Sequence, residues 1–156
     1  MKMKKQDIVT HYESYSVWLE SIKDLGRENW VKPVSDGKWP VAAVVAHLLF
    51  WDKYSLEQRF PFFKEGAVLE NYPDFQSVND AAGEYAKKHA QLEIIEELLS
   101  VRSQFLQMLQ GMSEEKLDTA FKIGGTSLTV RDYFADFIEH DIHHKKQIMH
   151  AAGISV

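Results

Sequence analysis

The chain has 156 residues, a size at which one domain buries roughly two thirds of the surface its unfolded form exposes. A hydrophobic fraction of 45% and a charged fraction of 26% match ordinary globular proteins, and a formal net charge of −5 disfavours nucleic acid and anionic membranes as partners. With no cysteine, disulfides, thiolate metal ligands and a protein-borne thiol nucleophile are all excluded.

The basic opening Met1 to Lys5 is followed by Gln6, Asp7, His11 and Glu13 instead of the apolar stretch of a secretory signal, so a cytoplasmic location is expected. Ile8, Tyr12, Tyr15, Trp18, Leu19, Ile22 and Leu25, three or four apart, predict a first helix from about Lys4 to Trp30 with one buried stripe. The run Lys32 to Lys38, with Pro33 and Gly37, ends it. Pro40, placed at the first helical position, opens a second helix through Val41, Val44, Leu48 and Tyr54 that Pro61 stops. Its nearly apolar part, Val41 to Trp51, is about half the length of a membrane span, so no membrane insertion is expected.

Phe60 to Val78 carries Pro61, Gly66, Asn71 and Pro73 among Phe62, Phe63, Tyr72 and Phe75, which predicts a long loop with buried anchors, of the kind that borders a pocket. Periodicity returns from Asn79 to Gln110 and predicts a third and longest helix, ended by Gly111. Gly124-Gly125 suggests a turn in a short hairpin over Ala120 to Leu128. Thr129 with Asp132 three residues on caps a fourth helix running to about Ala152. No repeat or linker divides the chain, and the expected architecture is all-α, an antiparallel four-helix bundle in one domain over 1–156.

The fourth helix carries His140, His143 and His144. At about 100° per residue, His140 and His144 lie about 40° apart and one turn along, so their imidazoles project together. Taking His140 as zero, the apolar residues Val130, Tyr133, Phe134, Phe137, Ile138 and Met149 span about 20° to 180°, which puts His144 at the edge of the buried face and His143 on the polar side. His143 is thereby left to orient a neighbour or contact solvent. A third ligand must come from another helix, and His47 is the best candidate, because it stands in the most apolar stretch of the chain and needs a polar partner there. Three neutral imidazoles suit a divalent transition metal, zinc or nickel foremost, iron or copper also, and leave coordination positions open for water or substrate. Asp136, one turn before His140, is a further ligand or an acceptor behind the ligands.

These residues resemble the DinB/YfiT-like superfamily, metal-binding four-helix bundles unrelated to the DNA polymerase of similar name. The resemblance spans nearly the whole chain and rests on Trp39, on Ala46-His47-Leu48, on Leu128-Thr129-Val130-Arg131-Asp132, and on Glu139-His140-Asp141-Ile142-His143-His144 with Gln147. It implies metal ligation by His47, His140 and His144, an up-down-down-up bundle, frequent homodimers, and a metal at one end of a cleft. Pro40 stands where Ser or Thr often follows the tryptophan, and Lys145-Lys146 replaces a frequent Arg-Gly; neither removes a ligand.

Relatives of that kind include transferases and isomerases that use low-molecular-weight thiols, so one expected activity is metal-dependent transfer of a small-molecule thiol to an electrophilic small molecule. Trp51, Tyr54, Phe62, Phe63 and Tyr72 would line the substrate side. The alternatives are a hydrolase using metal-activated water with Asp136 or Asp52 as proton acceptor, and a noncatalytic, stress-related metal- or ligand-binding protein.

Overall fold

The computed structural model describes residues 3–154. Helix α1 (Lys5–Ser21) buries Ile8, Tyr12, Tyr15, Trp18 and Leu19 along the expected stripe. It does not run on to Trp30. Ile22–Asp24 tighten into a 3-10 turn, Leu25 is extended at ψ 128°, and a four-residue helix α2 (Arg27–Trp30) starts afresh after Gly26. Gln91 explains the stop: its side-chain amide donates to the carbonyls of Ile22 and Leu25, at 3.1 and 3.0 Å, and so satisfies a helix end that would otherwise need continuation.

Helix α3 (Val41–Gln58) begins one residue later than expected, with Pro40 as its N-cap in an extended conformation. Every residue from Val41 to Leu49 is buried, because α3 is covered on all sides by other helices. The expected loop and third helix divide differently from the sequence pattern. Helix α4 (Phe75–Lys88) starts inside the loop segment, where Asp74 caps it by accepting from the Ser77 amide at 3.0 Å, and helix α5 (Gln91–Gln110) follows separately. His89 and Ala90 between them are both extended, at ψ 148° and 151°. The His89 ring stacks on Tyr85 at 3.7 Å while its Nδ1 meets Glu93 at 2.7 Å, tying the two helices across the break.

This break sets the topology. An unbroken helix over residues 79–110 would be roughly 48 Å long; instead α4 returns antiparallel along α3, with Phe75 beside Trp51 and Asn79 beside His47. Helix α5 then starts at the same end as α3 and runs with it, Glu97 near Lys53 and Phe105 against Phe60. The last helix, α6 (Val130–Ala151), runs with α1: Asp141 meets Tyr15 and Met149 meets Trp18. The four long helices therefore form a bundle with an up-down-down-up order, α1 and α6 opposed to α3 and α5.

A small sheet closes one end. Strand β1 (Val68–Leu69) pairs parallel with β2 (Ala120–Ile123), which forms the expected hairpin with β3 (Thr126–Thr129). Gly124 turns it at φ +58°, a conformation L side chains rarely adopt, with Asn71 packed against its Cα. Thr129 and Asp132 cap α6 reciprocally, Thr129 Oγ1 accepting from the Asp132 amide at 3.1 Å and Asp132 Oδ2 from the Thr129 amide at 2.9 Å. One contiguous apolar core joins the helices and the hairpin, rich in rings from Phe60, Phe63, Phe105, Phe121, Tyr133 and Phe134.

Candidate metal centre

Because α3 and α6 are opposed, the first half of α3 faces the second half of α6, and His47 meets His140 and His144 there. His140 Nε2 stands 3.2 Å from His47 Nε2 and 3.0 Å from His144 Nε2, and the three candidate ligand atoms lie within 4.8 Å of one another. His47 and His144 are buried, while His140 is on the open side.

The far side of each buried ring decides what its near side can do. His47 Nδ1 lies 2.8 Å from Asn79 Oδ1, and the Trp51 indole N–H donates to that same oxygen at 3.0 Å. An indole only donates, so the atom it meets is the amide oxygen, and His47 Nδ1 must also be a donor. That leaves the His47 Nε2 lone pair directed at the other two rings. His144 Nδ1 meets Gln147 Oε1 at 2.7 Å in the same sense. Burial pushes the His47 imidazolium down to about 4 and that of His144 to about 3, and lowers His140 as well, so all three rings are neutral at pH 7.

Converging lone pairs repel unless a cation lies among them. Nitrogens about 2.0–2.1 Å from a tetrahedral zinc stand about 3.3 Å apart, close to the two short separations here. The donor set, all-nitrogen and neutral, thus fits a borderline transition metal and not magnesium or calcium. His143 is exposed on the outer face of α6, its ring centroid 5.2 Å from that of His144.

A cavity of about 280 Å³ opens from His47 and His140 and is walled by Trp51, Tyr72, Phe75 and Phe137, with Ser55, Tyr133 and Asp136 supplying polar groups. The Ser55 and Tyr133 hydroxyls are 2.6 Å apart. Burial, then the charges of Glu139 and Asp132, raises the Asp136 carboxyl above its usual range. Of the five aromatic residues expected on the substrate side, Trp51 and Tyr72 stand in this wall. Tyr54 packs behind them against both rings, Phe62 is half-exposed on the surface, and Phe63 is buried in the core against Phe121 and Tyr133. Asn79, Ser55 and Tyr133 carried no signal in the sequence, since their roles depend on α4 and α6 packing against α3. Gln147 stood in the family motif without an assigned role. A second hollow of about 400 Å³ reaches His144 and Gln147 from the other side, past Trp39 and Lys38. A larger one, about 720 Å³, lies beyond Asn79 between α2 and α4 and touches none of the three histidines.

Behind the centre lies a buried ionic network. Arg102 Nε and Nη2 hold the two oxygens of Asp52, at 2.5 and 3.4 Å, while Nη1 and Nη2 hold Asp141 at 2.6 and 2.7 Å. His11 Nε2 meets Asp141 at 2.8 Å. Asp52, considered from the sequence as a proton acceptor, is neither exposed nor in the cavity. Burial outweighs the Arg102 guanidinium and, with the charge of Asp141, pushes Asp52 up to about 7. Burial also opposes ionisation of Asp141, but there Arg102 and His11 prevail and hold the carboxyl below the usual range. The network clamps α3, α5, α6 and α1 together one residue from His140.

Among known proteins, the model of the DinB superfamily matches residues 10–148. YfiT from Bacillus subtilis, described as a probable metal-dependent hydrolase with an unusual four-helix bundle topology, has a similar solved structure, with a TM-score of 0.80 and 17% sequence identity, covering 97% of this chain and 89% of that one. At that identity the likeness is one of fold. No protein of curated function matches.

Proposed function

Since the chain belongs to the DinB superfamily, we propose that it is an enzyme dependent on a divalent transition metal, held by His47, His140 and His144, that hydrolyses a small molecule bound in the adjoining cavity. The observation that carries this reading is the pinned tautomer of His47, whose Nε2 lone pair is held toward the other two rings by Asn79, itself identified by Trp51. Zinc or nickel suits the donor set best, with iron or copper as further candidates. Such a metal, when bound, supplies Lewis acidity and lowers the pKa of a coordinated water or thiol.

The chain's own groups complete the chemistry. Asp136 stands in the cavity wall with a raised pKa, suited to accept a proton and return it to a leaving group. The Tyr133 phenol, kept protonated by burial and bonded to Ser55, donates to a polar group of the ligand. Trp51, Phe75 and Phe137 exclude bulk water and strengthen these interactions. The description of YfiT as a probable hydrolase supports the same choice.

A second reading, thiol transfer, is favoured by one observation: hollows reach the histidines from two sides, His47 and His140 from one and His144 from the other, as two co-substrates would require. A small-molecule thiol would enter by one and the electrophile by the other. Zinc- and nickel-loaded protein assayed with activated esters separates the two. Hydrolysis without added thiol, lost in folded His47→Ala, is the expected result. Hydrolysis that survives His47→Ala refutes the metal-dependent reading, and turnover that appears only with a low-molecular-weight thiol selects transfer.

A further inference from the structure

Among the described residues two arginines are fully buried, and they are treated differently. Arg102 is saturated by Asp52 and Asp141. Arg59, 1% exposed, has no carboxylate within ion-pair distance among the described residues, and its Nε and Nη2 are buried without a hydrogen-bond partner. The rings of Tyr72 and Tyr54 cover its faces at 4.7 and 5.1 Å. Such contacts stabilise the cation but leave its N–H edge unpaired. A guanidinium does not shed its proton, so the escape open to a buried lysine is closed to it. Burying an unpaired charge is among the most destabilising arrangements a fold can hold.

The unpaired edge has a definite shape. Nε and Nη2 present two parallel N–H groups, the side-on fork that matches a planar carboxylate, and it is the same pair through which Arg102 grips Asp52. Its position is equally definite. His47, Trp51 and Ser55 recur every four residues along α3 and line the cavity; Arg59 follows at the same interval just past the helix end, buried behind Tyr72 and outside the cavity lining. Tyr72 is at once the cavity wall and the cover over the guanidinium, and the Arg59 charge acts on the phenols of both Tyr72 and Tyr133.

We propose that the ligand of this cavity is an elongated carboxylate, its reacting group beside His47 and His140 and its carboxylate on the Nε/Nη2 edge of Arg59, reached past Tyr72. The inference rests on the proposed function, since it takes the same cavity as the substrate site. Twelve residues of helix separate the two ends, roughly 18 Å of rise less the reach of two side chains. The carboxylate is therefore remote from the reacting group and selects the molecule without taking part in the reaction.

The test compares 4-phenylbutyrate with its neutral counterpart 4-phenylbutyramide by calorimetric titration of the zinc-loaded wild type, of Arg59→Met and Arg59→Lys, and of His47→Ala, each checked for folding by circular dichroism. The wild type should bind the carboxylate at least about tenfold tighter than the amide, as expected for hydrogen bonds to a charged group. Arg59→Met should abolish that preference, and Arg59→Lys, a point charge without the fork, should retain only part of it. His47→Ala should lose hydrolysis of the activated esters yet keep the preference, so failure of the metal reading and failure of this one remain distinguishable. An undiminished preference in folded Arg59→Met overturns the proposal. So does its loss in His47→Ala, which would place the carboxylate on the metal. Should Arg59→Met not fold, full retention in Arg59→Lys, or no preference in the wild type, overturns it equally.

Discussion

Asn79→Ala tests how the histidine centre is built. One oxygen, Asn79 Oδ1, accepts from His47 Nδ1 at 2.8 Å and from Trp51 Nε1 at 3.0 Å. Removing it unlocks the His47 tautomer, so that the proton is free to move to Nε2, the atom that must stay bare to bind a metal. Loss of an acceptor behind a ligating histidine typically lowers metal affinity about 10–100-fold, or about 1.4–2.7 kcal/mol. Two donors are also left unpaired; at about 1 kcal/mol each, the low end for groups only partly buried, the metal-free protein should lose about 2 kcal/mol of stability. Asn79→Asp keeps an acceptor at the same place and should bind metal at least as tightly as the wild type. Zinc affinity from competition with a fluorescent chelator, and urea unfolding in the presence of EDTA, measure the two quantities. An Asn79→Ala affinity within about twofold of wild type, well inside the expected loss, refutes the reasoning, as does an Asn79→Asp variant that loses as much as the alanine.

Arg102→Met leaves Asp52 and Asp141 buried without their cation and should cost about 3–5 kcal/mol in urea unfolding; a loss under about 1 kcal/mol would mean that the carboxylates do not depend on it. Asp52 carries a pH signature: with its carboxyl raised to about 7 in the folded chain, the folded state binds more protons than the unfolded state between about pH 4 and 7, so this group's contribution to stability falls as pH rises through that window. Asp52→Asn should therefore cost more near pH 5 than at pH 8, and an equal cost at both contradicts the shift. His143→Ala should leave zinc affinity within about twofold of wild type while His140→Ala lowers it by about 100-fold or more; equal losses would put His143 among the ligands.

Much of this protein is determined locally and is legible in the residue order. The helical stripes of α1 and α6, the apolar run that opens α3, the reciprocal Thr129–Asp132 cap and the Gly124-Gly125 hairpin depend on residues no more than a few positions apart. So does the pairing of His140 with His144, because spacing on a helix is itself an angle. What periodicity does not encode is where a helix stops for the sake of a distant partner. Gln91 ends the first helix by capping carbonyls 66 and 69 residues away, and the break at His89 and Ala90 turns one apparent helix into two. That break places Asn79 behind His47 and sets α3 and α5 side by side. Tertiary packing also sorted the charged and aromatic residues: Asp136 into the cavity, Asp52 beneath Arg102, Tyr72 into the wall and Phe63 into the core. A side chain's protonation, reach and partner are set by the dielectric and the neighbours that remote segments bring to it, and those exist only once the helices have packed.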